Sequence, residues 1–202
     1  MARVVKKPEE RRREIVNLAQ KLFLENEYDA TSLNDVISAL GIAKGTVYHY
    51  FKSKDELLDA VVANMAHEYL LSVQSKMSSE KGNALTKMKA LSFAMNVSSE
   101  WDTTIHQLHK PGNMGLHVRL LGLLVRGLAP IMAEVIRQGC EEGVFEASNP
   151  LETAEILLAG FQFITDIGVF PWDQEELERR TKAFSSIAEV QLRAASGSLS
   201  FL

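Results

Sequence analysis

The chain has 202 residues, of which 46% are hydrophobic and 24% charged, and its net charge is −4. These values are typical of a soluble globular protein with one large domain or two unequal ones. The single cysteine, Cys140, excludes an intramolecular disulfide framework and fits a reducing compartment. Because we find no signal-peptide pattern and no apolar run long enough to span a bilayer, we expect a cytoplasmic protein without membrane association.

The charge is unevenly distributed along the chain. Residues 1–54 hold ten Lys/Arg against seven Asp/Glu, a net charge of +3, whereas residues 55–202 hold twelve against nineteen, a net charge of −7. A basic N-terminal part on an acidic remainder is typical of a protein that meets nucleic acid with one end only.

The first elements are a basic arm and an amphipathic helix. Contact of the arm, residues 1–8, with DNA is left open, and disorder is the alternative. Apolar residues at helical spacing predict a helix from Glu9 to about Asn26, with Ile15, Leu18, Ala19, Leu22 and Phe23 on its buried side. Arg11, Arg12 and Arg13 begin this helix, where they could meet phosphate or simply form a solvated face.

Residues 31–51 carry the pattern of a helix-turn-helix. Thr31 or Ser32 can cap its first helix, and Asp35 can complete a capping box with Ser32. Gly41 follows as the residue that most easily takes the left-handed conformation ending a helix. Buried positions are expected at Val36, Ile37, Leu40, Ile42 and Val47, and this spacing around a glycine predicts two short helices joined by a tight turn.

The rest of the chain predicts further helices and no strand. Ser53 and Glu56 are placed to cap a helix that reaches about Lys76. The tail from Ser196 looks frayed, and Pro130 is expected to kink or break its helix near residues 127–129. The other predicted helices are Ala84–Met95, Trp101–Leu108, Leu116–Gly139, Leu151–Gly168 and Gln174–Ala194, which gives an all-α chain of about nine helices.

The helix-turn-helix resembles that of the TetR family of dimeric transcriptional regulators. The resemblance rests on TSLNDVISALGIAKGTVYHYFKSKDELLDAV at residues 31–61, and the segment 41–57 is the most specific part of it. It implies a three-helix DNA-binding domain at residues 1–53. It also implies a helical ligand-binding and dimerisation domain at residues 54–202.

The resemblance also implies which residues meet DNA. The recognition helix would be Lys44–Tyr50, with phosphate contacts at its end and at the start of the first motif helix. A hydroxyl beside the unpaired N–H groups of a helix N-terminus suits an anion. The predicted DNA-binding residues are Thr31, Ser32, Lys44, Gly45, Thr46, Tyr48, His49, Tyr50 and Lys54.

An internal ligand cavity and a dimer interface are implied as well. The cavity is expected to be mostly apolar and to favour a hydrophobic or aromatic effector. Its candidate lining residues are Met65, Tyr69, Met88, Phe93, Trp101, His106, His117, Leu120, Leu121, Leu124 and Phe161. A four-helix bundle between two subunits would use Leu157, Phe161, Ile164, Phe184, Ile187, Ala188 and Gln191.

Other chemistry finds little support in the sequence. His106, His109 and His117 could serve a metal or line a pocket, but they lack Cys or carboxylate partners at ligand spacing, and surface or core histidines fit better. Cys140 has no cationic neighbour in sequence that would favour its thiolate. No catalytic or nucleotide-binding motif is present, so no enzyme, metal or cofactor is expected.

Together these features predict a ligand-responsive, homodimeric DNA-binding regulator, most simply a repressor released from a palindromic operator by a small effector. Two other classes stay open at this point. A ligand-independent architectural or adaptor protein could bind DNA with the same helix-turn-helix. A helical enzyme would need pocket acids or metal ligands that the sequence does not offer.

Overall fold

The structure, a computed structural model, describes the backbone of residues 7–95 and 99–202 and the side chains of residues 7–95 and 103–202. Within these residues the fold is all-α and contains no strand, which confirms the predicted fold class. The nine α-helices of the described part are α1 Pro8–Asn26, α2 Leu33–Leu40, α3 Lys44–Tyr50, α4 Lys54–Ser78, α5 Ala84–Met95, α6 Ser99–Leu108, α7 Met114–Glu141, α8 Pro150–Ile164 and α9 Gln174–Leu192. A 3-10 turn, Pro111–Asn113, precedes α7.

The chain folds as two compact units. Unit 1 contains residues 1–65 together with residues 102–120, and unit 2 contains residues 66–101 and 121–202. The basic N-terminal part of the sequence therefore shares its unit with a segment that lies far along the chain. The predicted division into domains at residue 53 stays a prediction.

Local sequence signals set the helices of unit 1. Ser32 caps α2 because its Oγ accepts from the N–H of Asp35 at 3.2 Å and the Asp35 carboxylate accepts from the N–H of Ser32 at 2.7 Å. Gly41 ends α2 in the left-handed conformation with φ +62°, as predicted. Ser53 caps α4 by accepting from the N–H of Glu56 at 3.0 Å, but the Glu56 carboxylate returns to the N–H of Lys52 instead.

The core of unit 1 forms where α1 packs against the short helices and the start of α4. The expected residues Ile15, Ala19 and Phe23 are fully buried on α1, and Val36 and Val47 are buried on α2 and α3. Ile37, Leu40 and Ile42 are only partly buried. Phe51 and the first turns of α4 complete this core with Leu57, Leu58, Val61, Val62 and Met65.

The core of unit 2 joins the second half of α4 to α5, α7, α8 and α9. Close backbone approaches occur at two glycines of α7, because a Cβ at Gly127 would lie 2.2 Å from Leu70 Cδ1 and one at Gly139 would lie 2.0 Å from Phe145 Cδ2. The largest buried side chains of this core are Met88, Leu91, Leu128, Met132, Ile136, Phe145, Leu157, Leu158, Leu192 and Leu199.

Three parts of the sequence expectations about these helices are wrong. Helix α7 is not broken at Pro130, although a kink there stays a prediction; the carbonyl that a proline deprives of its partner belongs to Arg126, and both residues are exposed, so water can satisfy it. Helix α8 ends at Ile164 and not at Gly168, and the N–H groups of Gly168 and Val169 donate instead to Asp166 Oδ1 at 2.8 and 3.3 Å. The tail is packed and not frayed: Leu199 is fully buried and its N–H donates to Glu189 Oε1 at 2.8 Å.

Within the described residues, no helix combines the length and the apolar character that crossing a bilayer requires.

Candidate nucleic-acid interface

Helix α3 buries a single side chain and leaves the others partly or fully exposed. It spans the residues predicted for the recognition helix, Lys44–Tyr50, and only Val47 is buried. Lys44, Gly45 and His49 are exposed, and an added Cβ at Gly45 would have no heavy atom within 4 Å. A helix anchored by one apolar residue and open elsewhere can enter a groove without rearranging its core.

Aromatic rings support the exposed polar groups of α3. The Lys44 ammonium lies 5.4 Å from the centre of the Tyr48 ring, and His49 meets Tyr50 edge to face at 5.2 Å. Lys52 Nζ donates to the carbonyl of Tyr48 at 3.0 Å and so satisfies the C-terminal end of the helix. These neighbours restrict the side chains that face outward, which lowers the entropy that binding costs.

Ser32 and Thr31 occupy different environments although both were predicted to meet phosphate. Ser32 is exposed, and hydrogen bonds from its hydroxyl and its N–H hold the pKa of Asp35 below its usual range. Thr31 is only 3% exposed, and its hydroxyl donates to the carbonyl of Glu27 at 2.8 Å. Thr31 therefore shapes the connection before α2, and we leave it out of the proposed DNA surface.

Lys54 lies at the start of α4 and points toward the α1–α2 connection. Its ammonium is 4.0 Å from the centre of the Tyr28 ring and 3.4 Å from the carbonyl of Asp29. Both side chains are partly exposed, and a contact of this kind contributes only about 1 kcal/mol near the surface, so the Lys54 side chain can still turn to a phosphate. Burial, followed by the nearby Asp55 carboxylate, raises the pKa of Tyr28.

The arginines of α1 divide between packing and solvent. Arg12 lies 5.1 Å from the centre of the Phe51 ring, directly after the recognition helix. Arg11 pairs with Glu14 at 2.6 Å, one helical turn away. The arm before Lys7 lies outside the described residues. Whether Arg11, Arg12 and Arg13 contact phosphate or form a solvated face stays a prediction.

The residues predicted to line a ligand cavity fall in both units. In unit 1, Met65, Leu120 and His117 are buried and His106 is exposed. In unit 2, Met88 is buried, Phe93 is 59% exposed and the Tyr69 hydroxyl donates to the carbonyl of Met95 at 2.7 Å. The side chain of Trp101 lies outside the described residues. The partly buried members of the set in unit 2 are Leu121, Leu124 and Phe161.

The residues predicted for a dimer interface are divided between the interior and the surface of unit 2. Leu157 and Ala188 are buried, and Phe161 packs against Phe184 with ring centres 4.6 Å apart. Six large apolar residues of α8 and α9 are exposed: Leu151, Ile156, Phe163, Ile164, Ile187 and Val190, with Val190 79% exposed. The predicted Gln191 is exposed as well. Ile156 and Val190 were not among the predicted interface residues, because helical spacing alone does not show which apolar side of a helix packs inside its own unit.

Two of the three histidines come together in unit 1. The rings of His109 and His117 are 4.9 Å apart, and the side chain of His117 is buried. His106 does not join them and stays exposed.

Comparisons with known proteins agree with this geometry. The model for bacterial regulatory proteins of the tetR family matches residues 15–61, and the tetracyclin repressor-like C-terminal domain model matches residues 96–187. The transcriptional regulator YhgD of Bacillus subtilis is 22% identical over 178 residues, which cover 86% of this chain and 91% of that protein. The transcriptional repressor KstR2 of Mycobacterium tuberculosis is 30% identical over 94 residues, 46% of each chain.

Solved structures share the fold along almost the whole chain. A TetR-family transcriptional regulator from Syntrophomonas wolfei covers 95% of this chain and 99% of its own with a TM-score of 0.65 and 20% identity. One from Mesorhizobium loti covers 92% of this chain with a TM-score of 0.61 and 21% identity. The chain therefore belongs to the TetR family, and it is a transcriptional regulator with a helix-turn-helix DNA-binding domain.

Proposed function

We propose that the protein is a homodimeric repressor that leaves a palindromic operator when it binds a small, hydrophobic effector. The observation that carries the proposal is the pairing of an open recognition helix in unit 1 with an exposed apolar stripe in unit 2. One recognition helix of two turns reads too few base pairs to define a site, so a second copy supplies the missing specificity.

The proposed DNA surface consists of α3 and the two helix starts beside it. Lys44, Thr46 and His49 face base edges, while Tyr50 and Lys54 reach phosphates and Ser32 adds a hydroxyl at the start of α2. Gly45 lets the backbone approach the groove, since nothing lies within 4 Å of a Cβ placed there. Tyr48 lies beside Lys44 and can touch a thymine methyl.

The proposed dimer forms by burying the outward stripe of α8 and α9 against the same stripe of a second copy. Ile156 on α8 and Ile187 and Val190 on α9 are each more than half exposed. Because α8 and α9 already pack together through Phe161 and Phe184, two copies would form a four-helix bundle. Such a patch is unfavourable in water and is a usual mark of an isologous interface.

The proposed effector site lies in unit 2, between α4 and α7. Four methionines lie in or against this core, with Met88 and Met132 buried and Met77 and Met95 partly buried. Methionine side chains are flexible and polarisable, so a core rich in them can rearrange around an apolar molecule. The Tyr69 hydroxyl supplies a polar group that can exchange the carbonyl of Met95 for an effector atom.

Selection of bound sequences from random double-stranded DNA tests this proposal. We expect an inverted repeat whose half-sites are centred about one helical turn, roughly 34 Å, apart or a multiple of it. Selection of single, unpaired half-sites, or of no sequence at all, would contradict the dimeric repressor.

The effector class is tested separately by thermal shift. Fatty acids of graded chain length are natural apolar probes, since one relative, 20% identical over 151 residues, is the fatty acid metabolism regulator protein of Bacillus subtilis. We expect the melting temperature to rise with chain length and the selected DNA to be released, because the effector must prefer one of two states to shift them. Stabilisation that does not depend on the length of the alkyl chain would exclude a hydrophobic effector.

A further inference from the structure

The connection between α1 and α2, residues 27–32, has a backbone conformation that an ordinary residue rarely adopts. Glu27 ends α1 with φ +67° and ψ 139°, a region that glycine tolerates well and that strains a residue with a Cβ. Such strain persists only where the surroundings hold it in place. Here a distant part of the chain, residues 110–113, packs against the connection.

Residues 110–113, which we call the 110–113 segment, hold this connection, mainly with the backbone N–H and carbonyl of Gly112. The N–H of Gly112 donates to Glu27 Oε2 at 2.9 Å, and the N–H of Asp29 donates to the carbonyl of Gly112 at 3.1 Å. Lys110 Nζ donates to the carbonyl of Glu25 at 3.0 Å, near the C-terminal end of α1. A cation at that end is favoured by the helix dipole.

Asn113 completes the contact from a fully buried position. Its Oδ1 accepts from the N–H of Tyr28 at 2.7 Å and its Nδ2 donates to the carbonyl of Gln107 at 2.9 Å. One amide thus satisfies a backbone donor of the connection and a backbone acceptor of α6. Apolar replacement of this side chain would leave both groups buried without these bonds.

The start of the helix-turn-helix depends on the same connection. The Thr31 hydroxyl and the Thr31 N–H both donate to the carbonyl of Glu27, at 2.8 and 3.1 Å, and Ser32 then caps α2. The direction in which α2 and α3 leave the connection is therefore fixed by the conformation of Glu27.

We propose that the 110–113 segment is a positioning element for DNA binding: it holds the α1–α2 connection in its strained form and thereby sets the placement of the recognition helix. None of its four residues belongs to the proposed DNA surface, on which this inference rests. The segment lies inside the stretch that matches the family's C-terminal domain model, residues 96–187, although it belongs to unit 1, together with the helix-turn-helix. Sequence similarity alone would place it in the other domain.

Gly112→Ala tests the inference, with Gly115→Ala as its matched control. A Cβ at residue 112 would lie 2.6 Å from Glu27 Oε2 and 2.9 Å from Glu27 Cβ, whereas one at residue 115 meets nothing within 4 Å. For Gly112→Ala we expect operator affinity to fall by about tenfold or more, while Gly115→Ala stays close to wild type. Affinity is measured by fluorescence anisotropy on the selected DNA, at a temperature where circular dichroism shows each variant folded.

Four further measurements separate positioning from simple loss of structure. Stoichiometric titration is expected to show a full active fraction for Gly112→Ala, and the dependence of log affinity on log salt is expected to keep its slope, because no phosphate contact is removed. Adding Glu27→Gly removes the clash and suits a positive φ, so the double variant should recover affinity. In Asn113→Ala, hydrogen exchange at the amide of Tyr28 should accelerate.

Each contrary outcome is distinguishable. Equal affinities of Gly112→Ala and Gly115→Ala would overturn the positioning role while the proposed DNA binding stands. A reduced active fraction at unchanged affinity, or a double variant no better than Gly112→Ala, would overturn it as well. If wild type and Gly115→Ala both select no DNA sequence, the proposed function fails and the inference fails with it.

Discussion

The helix-turn-helix of unit 1 and the paired helices α8 and α9 of unit 2 use apolar residues in opposite ways. In α3 a single buried valine, Val47, anchors a helix whose other side chains are polar or aromatic. In α8 and α9, apolar residues cover both the side that packs inward and the side that faces out, where Ile156 and Val190 are exposed. The first pattern leaves a surface for a polar partner, and the second leaves one for another apolar surface.

This difference shows which structural features short-range sequence signals are enough to predict. Caps and a left-handed glycine fix the ends of α2 to within a residue, because each acts through hydrogen bonds between near neighbours. In unit 2, the spacing of apolar residues predicts that a helix forms. It does not predict which apolar side of that helix packs inside its own unit.

The strongest test is to place charge on the outward stripe of unit 2. In the double variant Ile187→Glu with Val190→Glu, two carboxylates would be buried against a second copy, so we expect a monomer and a loss of operator affinity of about a hundredfold or more. Analytical ultracentrifugation and anisotropy measure the two effects. Leu71→Glu is the control, since Leu71 is an exposed residue of unit 2 outside α8 and α9; a variant that stays dimeric would refute the proposed interface.

The packing of unit 2 is tested at Gly139. Because a Cβ there would meet the buried ring of Phe145, we expect Gly139→Ala to lower the free energy of unfolding by about 1–3 kcal/mol. At Gly122, by contrast, a Cβ meets nothing within 4 Å, and Gly122→Ala should stabilise the same helix slightly. Urea titrations of both variants measure the difference. If they gave equal changes, the close approach of residues 139 and 145 would not contribute to stability.

In unit 1, the role of the Lys54 charge is tested by how DNA affinity depends on salt concentration. If its ammonium leaves Tyr28 for a phosphate on binding, Lys54→Ala weakens binding to all sequences and lowers the salt slope by about one. Lys21→Ala, which removes an exposed cation of α1, should leave the slope unchanged. Anisotropy at several salt concentrations decides this, and an unchanged slope for Lys54→Ala would confine the residue to its contact with Tyr28.

The smallest expected effect concerns pH. Burial raises the pKa of Tyr69 from its ordinary value of 10.0 to about 12, so the folded state disfavours the phenolate. The contribution to stability is fully present below pH 10 and is lost as the pH rises from 10 to about 12. Tyr69→Phe should flatten this part of the stability curve while losing about 1 kcal/mol with the bond to Met95. Identical alkaline curves for the two proteins would contradict the assignment.

Local sequence patterns predict the all-α class, the ends of α2 and α3, and the family of the helix-turn-helix. They do so because these features depend on neighbours a few residues apart: Ser32 with Asp35, Gly41 after α2, and Val47 within α3. The family resemblance also supplied the predicted recognition residues; of these, Lys44, Gly45 and His49 are exposed, and Thr46, Tyr48 and Tyr50 are partly exposed.

Packing of the folded chain determines the contacts between distant residues. It buried Thr31, which sequence had placed at the phosphates, and it brought Asn113 to Tyr28 across 85 positions of the chain. It also carried α7 through Pro130 and packed Leu199 into unit 2. These outcomes depend on which surfaces meet when the helices pack, and no local pattern of residues encodes that choice.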